Sequence, residues 1–536
     1  MSWEIIGKAT QFIAEEMGVA LKRSAISPNI RERMDHSCAV LDKNGKIIAQ
    51  AEHIPVHLGS FKIGSRNIID YMLRNNIKLK ENEMLITNDP YISGTHLNDV
   101  TIIAPVYYNN NIFCYVINKA HNVDVGGPVF GSLNPSAKNL YQEGLIIPPV
   151  IITDDIIKII LSNFKDPETA YGDLNAQQAA NRMGINRIKE LINKYGEKEI
   201  LNSWDLLLKH SRELALFTLK SWRKGVYHAV DYLERDKEKI NINIALKIDN
   251  NGITADFDGT HDEIEYPINA VEGVTFSAVA YSVRSAMNID IPTNDGFYSI
   301  IDVKAPYKSL VNPEKNYPVS GGNVETTQRI ADVTLRALGE FLYYIPAASS
   351  GTMMNVMLGG KYGDKYWSYY ETIGGGNGAR YDSNGESGIH SNMTNTLNTP
   401  VEIAEKEYPL FFTEYNLRKN SYGKGKYHGG EGVIRSFRVL NETDISVIAD
   451  RFIIPPWGSH GGEDAKTGKI YIVRDKKKMK MKGKFSYMLI VLWPRYIYFF
   501  MCNIEITCYN YWFFLSQFFH IFKNFLIEIK FIVQSG

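Results

Sequence analysis

The sequence predicts a mixed α/β protein of the α+β kind, with an N-terminal region built on β-hairpins, a helical middle and a second α+β domain. Three observations carry that prediction. Turn signals at Asn44-Gly45 and Asn109-Asn110-Asn111 each separate two β-prone runs. Apolar residues recur with helical spacing across residues 173–225. At Ile242 the period changes to two, with Ile242, Ile244, Leu246 and Ile248 alternating strictly.

In chain order, Ile13, Met17, Ala20 and Leu21 give residues 3–23 one apolar helical stripe. Pro28 ends that helix. The stretch RERMDHSCAVLDKNGKIIAQ reads as a two-residue hairpin at Asn44-Gly45, with Asp35 and His36 at its mouth. Residues 60–77 read as helix and Met84–Thr87 as a short strand. Thr101–Val106 and Ile112–Ile117 form the arms of the second hairpin. The segment YQEGLIIPPV is a turn followed by extended chain, held open by Pro148 and Pro149. Residues 173–195 and 198–225 form a helical pair. Asn250-Asn251-Gly252 turns the chain from the strand at 242–248 into Ile253–Phe257. Residues 272–288 read as helix, and PVSGGNVETTQRIADVTLRAL as a glycine loop feeding a helix that starts near Val324. The domains expected are 1–229, which contains the helical region, and 230–487, which contains the glycine-rich loops.

Residues 488–536 stand apart. They hold nine of the 24 Phe residues, and their first Gly is Gly536. Pro494, Arg495, Asn503, Glu505, Asn510, Gln517 and Lys523 interrupt the tract too often for a membrane anchor, which needs about 20 mostly apolar residues. The expectation is an aberrant aromatic tail, non-native or read out of frame.

Lys plus Arg and Asp plus Glu both number 59, so no net field favours nucleic acid or an anionic membrane. Four scattered cysteines and no CxxC pair fit a reducing compartment, and Trp3–Leu21 lacks the organisation of a signal peptide. A cytoplasmic location is expected.

The chemistry concentrates between Gly94 and Pro128. His96 and Asp99 sit three apart in a loop, and the hairpin returns His121 beside them. Imidazole nitrogen and carboxylate oxygen are the usual ligands of catalytic zinc, manganese and iron. Asp35 is a fourth candidate, with a salt bridge to Arg31 or Arg33 as its structural alternative. Asp124, three residues after His121, is placed to orient an imidazole through its other nitrogen. The remaining histidines, His57 among them, read as hydrogen-bonded structural residues. No GxxxxGK[ST] or GxSxG motif is present, and Cys38 and Cys114 lie in apolar strands that favour inert burial.

Nine separated motifs then carry a resemblance: RERMDHSCAV, HIPVHLGS, NDPYISGTHLNDV, AHNVDVGG, YQEGLIIPPV, GDLNAQQAANR, GGNVETTQRIADV, NTPVE and HGGEGVIR. Together they resemble the hydantoinase B/oxoprolinase family over about residues 1–487. This family includes N-methylhydantoinase B-type subunits, the C-terminal half of 5-oxoprolinase, and subunits of acetone and acetophenone carboxylases. The resemblance implies a two-component, ATP-dependent hydrolase that opens a cyclic amide such as a hydantoin, 5-oxoproline or a related lactam. A hydantoinase A-type partner would hold ATP and magnesium and phosphorylate the substrate, and this chain would hold one divalent transition metal (Zn, Mn or Fe). The family's metal pattern falls on Asp35, His96, Asp99 and His121. Asp124, Glu143 and Glu325 lie in motif loops as candidate bases or substrate-positioning groups. The alternatives are a subunit of a ketone carboxylase and a non-catalytic truncated scaffold. Family members usually continue past the position of Tyr487 into a glycine-rich segment, from which this chain departs.

Overall fold

A computed structural model describes residues 2–51, 53–474, 477–489 and 527–533. It is mixed α/β, as the periodicity predicts. The helix Ser2–Ser24 buries Ile6, Ile13, Met17 and Leu21 along one stripe. The first hairpin pairs His36–Asp42 with Ile47–Gln50, but its loop is wider than a two-residue turn. Only Gly45 takes a positive φ there, +79°, and its N–H donates to Asp42 O at 3.1 Å. The Asp42 carboxylate accepts from the amides of Asn44 and Lys46, which stabilises the longer loop. In the second hairpin Asn109 and Asn110 both adopt positive φ, 50° and 61°, so a two-residue turn joins Asp99–Tyr108 to Asn111–His121.

These strands belong to a six-stranded antiparallel sheet. Its order is Ile47–Gln50, His36–Asp42, Asn111–His121, Asp99–Tyr108, Leu85–Thr87, Val150–Ile151. Side chains alternate across it. Asn118 bonds Asn181 Oδ1 at 2.8 Å, towards the helix Pro167–Tyr195. Lys119 points the other way, to Thr95 Oγ1 at 2.8 Å and to Ser60 Oγ at 3.0 Å, on the side of the helix Pro55–Arg74. His121 therefore shares the face of Lys119. The helices Ser2–Ser24 and Pro167–Tyr195 cover the first face, and Pro55–Arg74 packs against Glu272–Met287 on the second.

The helical middle begins earlier than the periodicity predicts, with Asp154–Asn163. Thr153 caps that helix by accepting from Ile156 N, a signal legible in TDDII. Glu197–Ser221 ends before residue 225, and the strand Gly225–Arg235 follows, spanning the expected unit boundary at 229/230. That strand pairs with Glu238–Ile248 in a four-stranded sheet completed by Ile253–Asp256 and Ile301–Lys304. One contiguous apolar core gathers residues from Ile6 to Ile448, so both halves of the chain share it.

A second core lies between two further sheets. One orders Lys365–Thr372, Asn355–Tyr362, Thr443–Ile448 and Lys484–Leu489. The other orders Leu410–Arg418, Gly432–Val439, Ile527–Ile532, Lys469–Arg474 and Lys477–Met481. The expectation of an aberrant tail falls mostly outside the described residues. Of that segment, Ile527–Ile532 pairs with the strands on both sides, and Ile529, Phe531 and Val533 are fully buried. Among the described residues no helix is long and apolar enough to cross a membrane.

Candidate metal centre

His96 lies in a loop whose path is fixed on both sides. The short helix Pro90–Ser93 ends at Gly94, whose φ of +84° is a left-handed cap that glycine adopts without strain. Gly273 of the neighbouring helix packs onto this cap so closely that a Cβ there would lie 2.6 Å from Gly94 O. Asn88 donates to Leu97 O at 2.9 Å, and Asn98 donates to Asn122 O at 3.0 Å. The strand then starts at Asp99, directly opposite His121 in the antiparallel register. The backbone N–H of His121 donates to Asp35 O at 3.1 Å, which ties the mouth of the first hairpin to the second.

Three donor atoms converge as a result. His96 Nε2 is 3.1 Å from Asp99 Oδ1 and 3.2 Å from His121 Nδ1, and His121 Nδ1 is 3.3 Å from Asp99 Oδ1. His96, Asp99 and His121 are all buried and form a group that could hold a metal ion. Two imidazole nitrogens and a carboxylate oxygen, mutually close and shut away from bulk water, suit a divalent transition metal. Ser320 O lies 3.2 Å from His96 Nδ1 and accepts its proton, leaving the Nε2 lone pair for the cluster. His121 stacks on Tyr370 with ring centroids 4.4 Å apart. Burial and the adjacent charges act in opposite directions here. Burial would raise the Asp99 carboxyl, yet the imidazoles of His96, His57 and His121 hold it well below the usual carboxylate range. Burial would lower His96, but Asp99 raises it above its ordinary value. For His121 burial prevails over Asp35 and Asp99, and its pKa is lowered.

The other sequence-selected residues are distributed around this group. Asp35 reaches its edge, with Oδ2 4.0 Å from His121 Nδ1, and lines the same small pocket. Asp124 is not brought to an imidazole. Its carboxylate accepts from the amides of Gly126 at 2.9 Å and Gly131 at 3.0 Å and pairs with Lys165 at 3.3 Å, so it shapes the glycine loop after His121. Glu143 spends both carboxylate oxygens on the amides of Val319 and Ser320, at 2.9 and 3.0 Å. It thereby fixes the carbonyl that His96 uses. Burial pushes Glu143 up to about 7, against those two amides. Glu325 accepts from Met353 N at 3.2 Å, and burial together with Asp450 pushes it up to about 8.

Three neighbours carried no spacing signal. His57 Nε2 is 3.3 Å from Asp99 Oδ2, and Asn323 Nδ2 donates to the same oxygen at 3.1 Å. Arg33 is fully buried and donates to Asn29 Oδ1 at 2.5 Å and Tyr370 O at 2.9 Å, which holds the stacking ring against the N-terminal region. Only the motif stretches HIPVHLGS and GGNVETTQRIADV flag His57 and Asn323, and Arg33, the expected salt-bridge alternative for Asp35, lies 3.6 Å from Glu371, while Arg31 pairs with Glu32.

Comparisons with known proteins agree with one another. The family model described as hydantoinase B/oxoprolinase matches residues 1–491. Uncharacterized protein MJ0963 of Methanocaldococcus jannaschii is 46% identical over 90% of this chain and 86% of its own length. 5-Oxoprolinase 1 of Arabidopsis thaliana is 34% identical over 88% of this chain, which spans only 39% of that longer protein. Among solved structures, the ATP-dependent caprolactamase of Pseudomonas jessenii superposes with a TM-score of 0.84 at 23% identity, over 91% of this chain and 87% of the other. An acetone carboxylase in its nucleotide-free form superposes with a TM-score of 0.86 at 14% identity, over all of this chain and 75% of the other. At those identities the likeness is one of fold.

Proposed function

The chain belongs to the hydantoinase B/oxoprolinase family, and from that premise we propose that it is the metal-bearing component of a two-component, ATP-dependent hydrolase that opens a cyclic amide. A hydantoinase A-type partner would bind ATP and phosphorylate the amide oxygen. The observation that carries this reading is the convergence of His96 Nε2, Asp99 Oδ1 and His121 Nδ1 in a buried pocket.

An unactivated lactam resists water because its nitrogen donates into the carbonyl. O-phosphorylation removes that resistance. Water adds to the carbon, the ring C–N bond breaks with its nitrogen taking a proton, and the resulting acyl phosphate is hydrolysed by a second water. The sum is lactam, ATP and two waters giving the ring-opened amino acid, ADP and inorganic phosphate. A divalent transition metal held by His96, Asp99 and His121, with Asp35 at the edge, would supply Lewis acidity to this addition. The chain's own residues prepare the site. Ser320 O fixes the His96 tautomer, His57 and Asn323 hold the far oxygen of Asp99, and Ile54, Val56, Val324, Met353 and Met393 wall the pocket against bulk water.

The test is co-expression with an A-type subunit and an assay of ADP release across hydantoins, 5-oxoproline, other lactams and ketones, with and without bicarbonate. Amide-dependent ADP release that requires both chains is expected. Robust ATPase activity of this chain alone would overturn the division of labour, and release that depends on a ketone and bicarbonate would replace the hydrolase by a carboxylase.

A further inference from the structure

The pocket that contains the metal cluster has a volume of about 20 Å³. A single water needs roughly 10–15 Å³ of such space, so the pocket admits a guest the size of one water and not a five-membered ring. A cavity of about 940 Å³ adjoins it. Thr394 lines both spaces, so the segment Ser391–Asn395 that borders the large cavity also reaches the small one. Asn392 holds this segment with φ +53°, its amide donating to Asp332 Oδ1 at 2.9 Å and Ser349 Oγ at 3.1 Å.

The composition of the large cavity is selective. Among the described residues that line it, Arg380 is the one cation, whereas Asp332, Asp382 and Glu386 are acidic. Asp332 is already committed to Arg451 Nη2 at 2.8 Å and Arg329 Nη1 at 3.3 Å. The wall carries aromatic rings for a flat face to stack on, Tyr281, Tyr343, Tyr381 and Trp457, and neutral polar groups for hydrogen bonding. His390 lies in the same wall beside Asn398, with both ring nitrogens shut away from solvent. Burial and the guanidinium charge of Arg33 push the His390 imidazole down to about 3, against its hydrogen bond with Asn398, so it adds no positive charge to the wall at physiological pH.

We propose that this cavity is the substrate antechamber of the metal pocket and that it takes an uncharged cyclic amide in preference to one bearing a free carboxylate, such as 5-oxoproline. The proposal rests on the hydrolase reading and names its substrate class. A carboxylate entering the cavity would meet more negative than positive side chains and leave much of its solvation behind. A hydantoin or simple lactam loses far less.

Two experiments test it separately from the hydrolase reading. In the co-expressed complex, kcat/KM for hydantoin and 2-pyrrolidinone is expected to exceed that for 5-oxoproline by at least about tenfold. Asn395→Arg, which adds a cation to the wall, should narrow that ratio. Turnover of 5-oxoproline equal to or above that of the uncharged rings overturns the proposal. A complex that opens no amide overturns the hydrolase reading. The cavity assignment then stands or falls on ligand-observed NMR of this chain with 2-pyrrolidinone. Saturation transfer that is present in the wild type and lost in the double variant Tyr343→Ala/Tyr381→Ala, which removes two stacking faces from the wall, with metal content unchanged, supports it. No transfer in the wild type, or equal transfer in the variant, overturns it.

Discussion

His57 Nε2 lies 3.3 Å from Asp99 Oδ2, on the oxygen that faces away from His96 and His121. With Asn323 on the same oxygen, the carboxylate is held so that only Oδ1 addresses the imidazole pair. Partners of this kind change metal affinity by about 10–100-fold. His57→Ala is expected to weaken metal binding within that range, and His57→Gln, whose amide can still donate, to recover part of the loss. Competition against a calibrated chelator measures both, and wild-type affinity in His57→Ala would remove the role.

About one transition metal per chain is expected by elemental analysis of purified protein. His96→Ala and His121→Ala should each abolish it, since each removes one of three converging donors. Asp35→Asn should cost less, because its oxygen stands 4.0 Å from His121 Nδ1. Full metal content in both alanine variants would eliminate the cluster as the site.

Acid should destabilise the fold through His36. Burial and the neighbouring His53 imidazole push its pKa down to about 3 from an ordinary 6.5. Between those values the unfolded chain binds a proton that the folded chain does not, so stability falls as pH drops through that window and is unaffected above it. The slope is about 1.4 kcal/mol per pH unit at most. His36→Gln keeps a donor for Gly18 O, which His36 Nε2 meets at 3.1 Å, and should flatten the dependence in urea titrations from pH 7 to 4. Parallel curves for the two proteins would refute this.

Truncation after residue 489 separates two views of the C-terminal segment. The strand Ile527–Ile532 buries Ile529 and Phe531, and Val533 follows them into the same core. Burial of each such side chain contributes roughly 1.5–3 kcal/mol. Its loss would also open the edges of Gly432–Val439 and Lys469–Arg474. A lower melting temperature and aggregation are expected. An out-of-frame tail predicts no change, so an unaltered melting curve would favour a non-native tail.

The elements visible in the sequence were those with local causes. The Asn109-Asn110 turn fixed the register that sets Asp99 opposite His121, and the apolar stripe of residues 3–23 became a helix. The strand Gly225–Arg235 escaped because a helical pattern ran up to it without a break in period, and its pairing with Glu238–Ile248 is a tertiary choice. At the site, HxxD and a returning His are short-range patterns and were legible. His57, Asn323 and Tyr370 reach the cluster from a helix, a glycine loop and a strand far apart in the chain, and no spacing rule connects them. Asp124 and Glu143 are polar residues near the motif, and their oxygens accept from backbone amides that shape the loops around it, partners that no spacing rule predicts.

The pocket is also ordered in time. Asp35 to His121 leave the ribosome first, while Asn323, Met353, Tyr370 and Thr396, which enclose them, follow up to about 275 residues later. At roughly 5–20 residues per second, that interval is about 15–55 s. Until it ends the nascent chain carries the two imidazoles and their carboxylate with only part of the wall, Ile54 and Val56 first, that encloses them in the finished fold. An ion that met His96, Asp99 and His121 in that interval would bind before the enclosure was complete.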